Sequence, residues 1–255
     1  MKKLLAAFVC AFIPSSKIRK QTRKKIQSLN LHDLLRKKIK YDLIFSLGEA
    51  CFVPDCLKIN NLRKYSGPFD WMYGSTFQKR MEIFINRFYG YFDKADLKYD
   101  KLNPDNSKAI YINQRTGLVY NHDFDPDVPF DIEYKNINEK YQRRIKRIFD
   151  ILKNGGQVLV VYAEMRGPDD KKFSSVKEVI ELIDKANKEY GNKLDFVYFK
   201  NNKNMKPGTA RQIYKNKYLI IFEYLGSRGG DIENVEEEMA IRKNISDSLK
   251  FAGLK

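Results

Sequence analysis

The sequence predicts an α/β domain with a mainly parallel sheet flanked by helices, in a three-layer, Rossmann-like arrangement, and a basic N-terminal helical arm. In the second half of the chain, apolar runs of strand length alternate with helical patterns. A length of 255 residues lies near the upper limit for one core. Of the net charge of +16, residues 1–40 supply +11, from 12 basic residues and one acid. We therefore divide the chain into an arm, residues 1–40, and a single domain, residues 41–255.

The first half of the domain is predicted to begin with a strand and a helix. Residues 41–46 form a short apolar run that is typical of a buried strand, and a helix is expected to start near Pro54. Residues 66–71 are expected to form a structured loop. Apolar residues spaced three to four apart predict an amphipathic helix over 75–92, and the polar stretch 93–109 is predicted to be a loop.

The second half shows the alternation on which the fold class depends. Two apolar runs flank residues 114–117 and predict a hairpin. One helical face covers 137–152 and ends at the glycines of 154–156. The remaining predicted elements are strands at 158–162, 194–199 and 218–225, a helix capped by Ser174 or Ser175 that runs to Tyr190, and a last helix over 232–251.

The arm combines an apolar run with a dense basic stretch. Residues 4–13 reach only about 15 Å as a helix, half of the ~30 Å hydrocarbon core, so no transmembrane helix is predicted. Such a composition is typical of an interfacial anchor on an anionic membrane surface, here at the cytoplasmic face. A signal peptide and a solvated tail are the alternatives. Nucleic acid is an unlikely partner, because no aromatic residue lies among the basic ones.

The three cysteines are Cys10, Cys51 and Cys56. They cannot all pair, and they lack the clustered spacing with histidine that a zinc site requires. A reduced, cytoplasmic compartment fits them best. We predict no metal and no cofactor.

Cys51 follows the first predicted strand at the start of a helix. Ligands of open parallel sheets bind at the carboxyl ends of strands, so this loop is a candidate site. Unpaired amides and the helix dipole favour a thiolate there, and amides near Gly48, with the Ser46 hydroxyl, could hold an oxyanion. The alternative is that Cys51 is a buried small hydrophobe.

Two further predicted strand ends carry candidate polar groups. His122 is the only histidine outside the arm, so it alone can serve the domain as a base, with Asp123 available to orient its ring. In a strand, however, Asp123 would point to the opposite face, and a surface loop histidine is the alternative. Glu164 and Arg166 follow the strand at 158–162 and are predicted to bind substrate.

Asp70 and Trp71 lie in the loop after the predicted cysteine helix. A buried carboxylate needs a partner, and Arg63 or His122 could supply it. The alternative is that Asp70 caps the next helix.

These residues carry a family resemblance. Ser46-Leu47-Gly48 with Cys51, then Leu62-Arg63 with Ser66 and Pro68-Phe69-Asp70-Trp71, then His122-Asp123-Phe124 resemble the bacterial domain family of unknown function described as "putative papain-like cysteine peptidase". The resemblance implies Cys51 as nucleophile and His122 as base. A papain-type fold would place the cysteine helix against an antiparallel barrel, whereas residues 156–251 alternate like a parallel sheet.

Three functions are compatible with the sequence. The first is thiol-dependent acyl hydrolysis or transfer on a peptide or glycan substrate, with Asp70 and Asp123 supporting the catalytic pair and Ser46, Gly48, Arg63, Ser66, Trp71, Glu164 and Arg166 binding substrate. The second is a glycan-modifying transferase that binds a donor phosphate at the Ser46–Cys51 loop. It draws on the similarity of residues 4–14 to leaders of bacterial enzymes of surface polysaccharide assembly. The third is a non-catalytic binding module tethered to a membrane.

Overall fold

A computed structural model describes residues 41–165, 173–226 and 235–251. Tyr41–Leu249 forms one compact unit. In chain order its elements are β1 (Leu43–Gly48), α1 (Phe52–Ile59), β2 (Met72–Gly74), α2 (Phe77–Ile85), a 3-10 turn (Lys94–Asp96), β3 (Leu97–Leu102), β4 (Ala109–Asn113), β5 (Leu118–Phe124), α3 (Phe130–Lys153), β6 (Val158–Ala163), α4 (Val176–Glu189), β7 (Leu194–Asn201), β8 (Ala210–Lys215), β9 (Leu219–Tyr224) and α5 (Val235–Phe251).

The larger sheet has the order β1-β6-β7-β9-β8. The first four strands of this order are parallel, and β8 runs antiparallel to β9 at the edge. All six residues of β1 and of β6 are buried, which explains why both strands are continuous apolar runs in the sequence. The predicted mainly parallel sheet is therefore confirmed, while the three-layer, Rossmann-like arrangement remains a prediction.

A second, antiparallel sheet has the order β2-β5-β4-β3. The predicted hairpin is its centre, since β4 and β5 pair on either side of the turn at 114–117. A second sheet was not expected from the sequence. Its two outer strands explain why: β2 has only three residues, and β3 exposes five of its six.

Helices occur where the apolar spacing predicted them, with changed ends. Pro54 lies in the first turn of α1, where its missing N–H costs nothing. Ser175 caps α4 in a capping box with Glu178, as the Ser174 or Ser175 prediction allowed.

Three parts of the chain differ from the prediction. The helix predicted over 75–92 ends at Ile85, because Arg87 and Phe88 adopt positive φ and turn the chain. The stretch 93–109 is not all loop, since it contains the 3-10 turn and β3. Strand β8 was not predicted, because none of its residues is buried at this sheet edge and they show no apolar run.

An aromatic cluster packs against the loop at 66–71 and holds its backbone. Phe69 is fully buried and packs against Phe88 and Tyr91, with ring centroids 5.4 Å away in both cases. The Tyr91 hydroxyl donates to the carbonyl of Pro68. These contacts hold the backbone that carries Asp70 and Trp71. Within the described ranges, no helix has the length and apolar character needed to cross a membrane.

Candidate functional site

The loop that follows β1 depends on a buried arginine. Arg80 of α2 is fully buried, and its guanidinium donates to the carbonyl oxygens of Leu47, Met72 and Gly74 at 3.0, 3.0 and 2.8 Å. One cation thus joins the end of β1 to both ends of β2. A Cβ on Gly48, which has φ of +108°, would come within 2.2 Å of the Arg80 Nη1 atom, so this close approach requires glycine.

Sequence reasoning did not single out Arg80. Its position gave a usable signal, because it lies three residues after Phe77 and four before Phe84, on the apolar face of the helix. A cation in that stripe must find buried acceptors.

The amides of this loop have protein partners. The Gly48 N–H donates to the Ser46 Oγ at 2.9 Å, and the Ala50 N–H donates to the Met72 carbonyl at 2.9 Å. Ser46 is itself fully buried. The Gly48 N–H is therefore already paired with the Ser46 hydroxyl oxygen, and the oxyanion role of these two residues remains a prediction.

Cys51 is the N-cap residue of α1 and is partly buried. Burial raises the pKa of its thiol above the ordinary value, and the nearby Asp55 carboxylate raises it further. The amide of Cys51 itself, Arg242 of α5 and the Tyr73 hydroxyl act in the opposite direction but do not outweigh burial. Burial therefore opposes the thiolate that the sequence led us to expect. Cys51 and Cys56 do not form a disulfide with each other.

Tyr73 of β2 belongs to the antiparallel sheet and lies near the thiol. Burial and the nearby Cys51 raise the pKa of its phenol, and Asn121 on β5 lowers it. Sequence reasoning did not identify Tyr73 or Asn121. Only the pairing of β2 with β5 brings them together, and that pairing was not predicted.

His122 lies on the same side of the molecule as this pair. Its exposed ring is 6.3 Å from the Trp71 ring in an edge-to-face contact and 6.3 Å from the Tyr73 ring. The sequence placed His122 just after a strand, whereas in the structure it lies within β5 of the second sheet. Its ring packs against Tyr73, and the strand of Tyr73 is bonded to the residue before Cys51 through the Met72 carbonyl.

A bulge in β5 decides where Asp123 points. Ala109 pairs with Phe124 and Tyr111 with Tyr120, so three β5 residues oppose Ile110 alone. Asp123 turns towards α3, where the Tyr141 hydroxyl donates to one carboxylate oxygen at 2.5 Å and Lys140 pairs with the other. Both oxygens are therefore used away from the His122 ring, as the strand alternation suggested.

Asp70 is buried and paired with Arg63. The Asp70 Oδ2 atom lies 3.1 Å from Arg63 Nη2 and accepts a 2.9 Å hydrogen bond from the Gly67 amide. Arg63 also donates to Ser66 Oγ at 2.6 Å and lies over the Trp71 ring, 5.7 Å from its centroid. Of the two partners proposed for Asp70, the structure selects Arg63. Burial raises the pKa of Asp70 to about 6, against the opposing effect of Arg63.

Glu164 belongs to a separate cluster. It is buried, accepts hydrogen bonds from the Tyr198 hydroxyl at 2.5 Å and the Asn201 amide at 2.8 Å, and lies 3.7 Å from Lys200. Burial raises its pKa. These contacts do not extend to Cys51. The other residue predicted for this strand end, Arg166, lies outside the described residues, as do residues 1–40.

Over residues 41–165, 173–226 and 235–251, no group of three or more His, Cys, Asp or Glu side chains could hold a metal ion.

A family model covers the strands and loops that form this site. The model described as "Putative papain-like cysteine peptidase" matches residues 42–200. The chain belongs to this family. The match includes Cys51, Tyr73 and His122, and it does not establish the bacterial source that the resemblance suggested.

One curated relative is viral. "Uncharacterized protein R408" of Acanthamoeba polyphaga mimivirus is 28% identical over 158 residues, which is 55% of this chain and 70% of the viral protein. No solved structure gives a significant match.

Proposed function

We propose that this protein is a thiol-dependent acyl hydrolase of the papain-like type, with Cys51 as nucleophile and His122 as general base. The observation that carries the proposal is that β2 contacts both sides of the pair: the amide of Ala50, next to Cys51, donates to the Met72 carbonyl, and the His122 ring packs against Tyr73. The membership of the family supports the same assignment.

The chemistry follows from the protonated thiol. Because burial raises the pKa of Cys51, the sulfur keeps its proton in the resting enzyme. His122 accepts that proton as the sulfur forms a bond to the substrate carbonyl carbon, and it then protonates the leaving nitrogen or oxygen as the old bond breaks. A water molecule next gives a proton to His122 and its oxygen to the acyl carbon, and the carbon–sulfur bond breaks as the sulfur regains a proton.

The developing oxyanion needs donors other than the Gly48 and Ala50 amides, which donate to Ser46 and Met72. In this proposal it is held by the backbone N–H groups of the first turn of α1, at the positive end of the helix dipole. The same occupied amides weigh against the alternative in which a donor phosphate binds at the Ser46–Cys51 loop. Thermal shift with nucleotide sugars tests that alternative, and stabilisation would favour it.

The test is hydrolysis of p-nitrophenyl acetate with detection of the acetylated cysteine by mass spectrometry. We expect acetyl transfer to Cys51, loss of the protein-dependent rate in Cys51→Ala, and a fall of about 100-fold in His122→Ala, the usual contribution of a general base.

Cys56→Ala is the matched control, because Cys56 is on the same helix but is buried. It should keep the wild-type rate. Full activity in Cys51→Ala would refute the proposal, and activity lost only in Cys56→Ala would move the nucleophile.

A further inference from the structure

We propose that Trp71 is a positioning residue for the general base, whose indole packs against the His122 ring and holds the imidazole where it can accept the proton of Cys51. The proposal rests on the function proposed above, and the family description assigns no role to Trp71. It differs from the substrate-binding role that the sequence predicted for Trp71, because the indole would act through His122 and not through contact with the substrate.

The exposed His122 ring needs neighbours that fix its orientation. Asp123, which was expected to orient it, binds side chains of α3 instead. Two aromatic rings contact the imidazole. The Trp71 ring meets it edge-to-face, with centroids 6.3 Å apart and planes at 80°, and the Tyr73 ring lies at the same distance with planes at 37°. Ring packing is therefore the contact through which the structure can hold the base.

The indole is itself held by an arginine. Arg63 Cζ lies over the Trp71 ring, 5.7 Å from its centroid, where the ring face attracts a cation. The guanidinium is fixed in turn, since Arg63 Nη2 lies 3.1 Å from Asp70 Oδ2 and donates to Ser66 Oγ at 2.6 Å. The side chains of Arg63 and Asp70 are only 12% and 1% exposed. The indole thus contacts a fixed cation as well as the imidazole.

The backbone at Trp71 adopts a conformation that suits glycine better than tryptophan. Trp71 has φ of +70°, in a turn closed by the Met72 amide, which donates to the Phe69 carbonyl at 3.3 Å. A turn with positive φ at its third residue favours glycine or asparagine, so a bulky side chain there is strained. Strained residues cluster at functional sites, where the surrounding structure maintains them. The strain points to a function of the indole that glycine could not supply.

The orientation of the imidazole matters for proton transfer. A general base contributes only when its nitrogen comes within hydrogen-bonding reach of the proton that it takes. An exposed histidine without contacts would exchange among several rotamers, and only some of them direct the ring towards the reacting group. Packing against Trp71 excludes part of these rotamers. Loss of the indole should therefore slow the reaction without weakening substrate binding.

The experiment measures kcat and KM for p-nitrophenyl acetate in the full chain. Trp71→Leu removes the aromatic ring, and Trp71→Phe keeps a smaller one. We expect kcat to fall about 10-fold in Trp71→Leu, because a misplaced base loses part of its ~100-fold contribution, and to fall less in Trp71→Phe. KM should not change. A raised KM with an unchanged kcat would show that Trp71 binds substrate and would overturn the proposal.

The double variant of Trp71→Leu with His122→Ala distinguishes positioning from a general structural role. If the indole acts through the imidazole, the double variant should be as active as His122→Ala alone, since no base remains to be positioned. A further loss in the double variant, similar to that of Trp71→Leu in the wild type, would mean that Trp71 supports the site independently of His122. That result would overturn the proposal.

Tyr89→Leu is the matched control. Arg115 lies over the Tyr89 ring, 6.0 Å from its centroid, so this substitution also removes an aromatic ring that contacts an arginine. Tyr89 is 83% exposed and follows α2, outside the ring contacts of His122. Its substitution should leave kcat and KM at their wild-type values.

A second measurement tests the ring contact without any substitution at position 71. Trp71 is the only tryptophan of the chain, so tryptophan fluorescence reports on this indole alone. A protonated imidazole quenches an adjacent indole, and we expect the emission to fall more at low pH in the wild type than in His122→Gln. The difference isolates the imidazole from the Asp70 carboxyl, which both proteins share. Identical titration curves would overturn the contact.

The outcomes separate this proposal from the proposed function. Full hydrolysis in Cys51→Ala rejects the catalytic pair and the positioning role together, even if fluorescence confirms the ring contact. Hydrolysis that requires Cys51 and His122 but is unchanged in a folded Trp71→Leu overturns the positioning role alone. A loss in Trp71→Leu that disappears in the His122→Ala background supports both.

Discussion

Two neighbouring strand ends of the parallel sheet differ in what they present. Strands β1 and β6 pair in parallel, so the loops after them lie at the same edge. The first leads to Cys51, which is partly buried and lies near Tyr73 of the other sheet. The second leads to Glu164, which is buried with both oxygens accepting hydrogen bonds. A position at a strand end therefore suggests a functional site but is not sufficient to establish one.

The two strand ends differ in the hydrogen bonds that their polar groups already form. The two carboxylate oxygens of Glu164 accept hydrogen bonds from Tyr198 and Asn201. The backbone carbonyl of Glu164 accepts a hydrogen bond from the Tyr224 hydroxyl at 2.5 Å. Glu49 lies close enough to contribute to the raised pKa of Glu164. The loop after β1 thus places Glu49 near the Glu164 cluster and Cys51 near Tyr73 of the second sheet. We infer a structural role for Glu164 and a chemical one for Cys51.

The largest effect should come from Glu164→Ala. The substitution leaves the Tyr198 hydroxyl and the Asn201 amide without their acceptor in a buried site, and each such group costs about 1–3 kcal/mol. We expect the free energy of unfolding, measured by urea denaturation, to fall by roughly 3 kcal/mol.

Cys51→Ala is the matched substitution at the other strand end. It removes a partly exposed thiol, so the free energy of unfolding should change by less than about 1 kcal/mol. Equal losses in the two variants would show that both strand ends are structural and would remove the contrast.

The second effect concerns the pH dependence of stability near Asp70. Its pKa rises from 3.8 in the unfolded reference to about 6 in the folded protein, mainly because of burial. The folded protein then binds the proton more tightly, so the free energy of unfolding falls as pH rises through this window. The difference corresponds to roughly 3 kcal/mol at 1.36 kcal/mol per pKa unit. Urea denaturation between pH 4 and pH 7 measures it.

Asp70→Asn keeps the shape without the titration, so its stability should vary less over the same range. Stability of the wild type that rises from pH 4 to pH 6 would contradict the prediction. It would mean that Arg63 and the Gly67 amide favour the charged carboxylate by more than burial disfavours it.

The parallel sheet was predictable because burial on both faces leaves continuous apolar runs such as Val158–Ala163. The antiparallel sheet was predictable only at its hairpin. Strand β3 exposes Lys98, Tyr99 and Lys101 and resembles a polar loop in sequence. Three residues of β2 are too few for a period to be recognised. Edge strands acquire their conformation from pairing, which local sequence does not encode.

The residues of the candidate site show the same contrast. Cys51, His122, Asp70 and Trp71 were singled out from the sequence, because their residue types are unusual and carry the family resemblance. Tyr73 was missed, because a tyrosine in an aromatic-rich chain is ordinary until the pairing of β2 with β5 places it beside His122. The raised pKa of the thiol was not expected, since the helix N-terminus favours ionisation while burial, which the sequence did not show, opposes it.

The smallest effect tests the charges around the thiol. Asp55 raises and Arg242 lowers the pKa of Cys51, and the two pair with each other at 3.4 Å. The measurement is the rate at which iodoacetamide alkylates Cys51 as a function of pH. Asp55→Asn should therefore move this pH profile to lower pH, and Arg242→Gln should move it to higher pH. Both side chains are partly exposed, so solvent screens them, and we expect rate changes of about two- to five-fold at a fixed pH.

Arg87→Gln is the control, because its ion pair with Glu189 is exposed and the residue does not contribute to the Cys51 pKa. It should leave the profile unchanged. The opposite signs give this test its force, since a general loss of stability would expose the thiol and speed alkylation in both variants. Shifts of the same sign would therefore mean that Asp55 and Arg242 act by holding α5 near α1, and the electrostatic contrast between the two strand ends would then rest on burial alone.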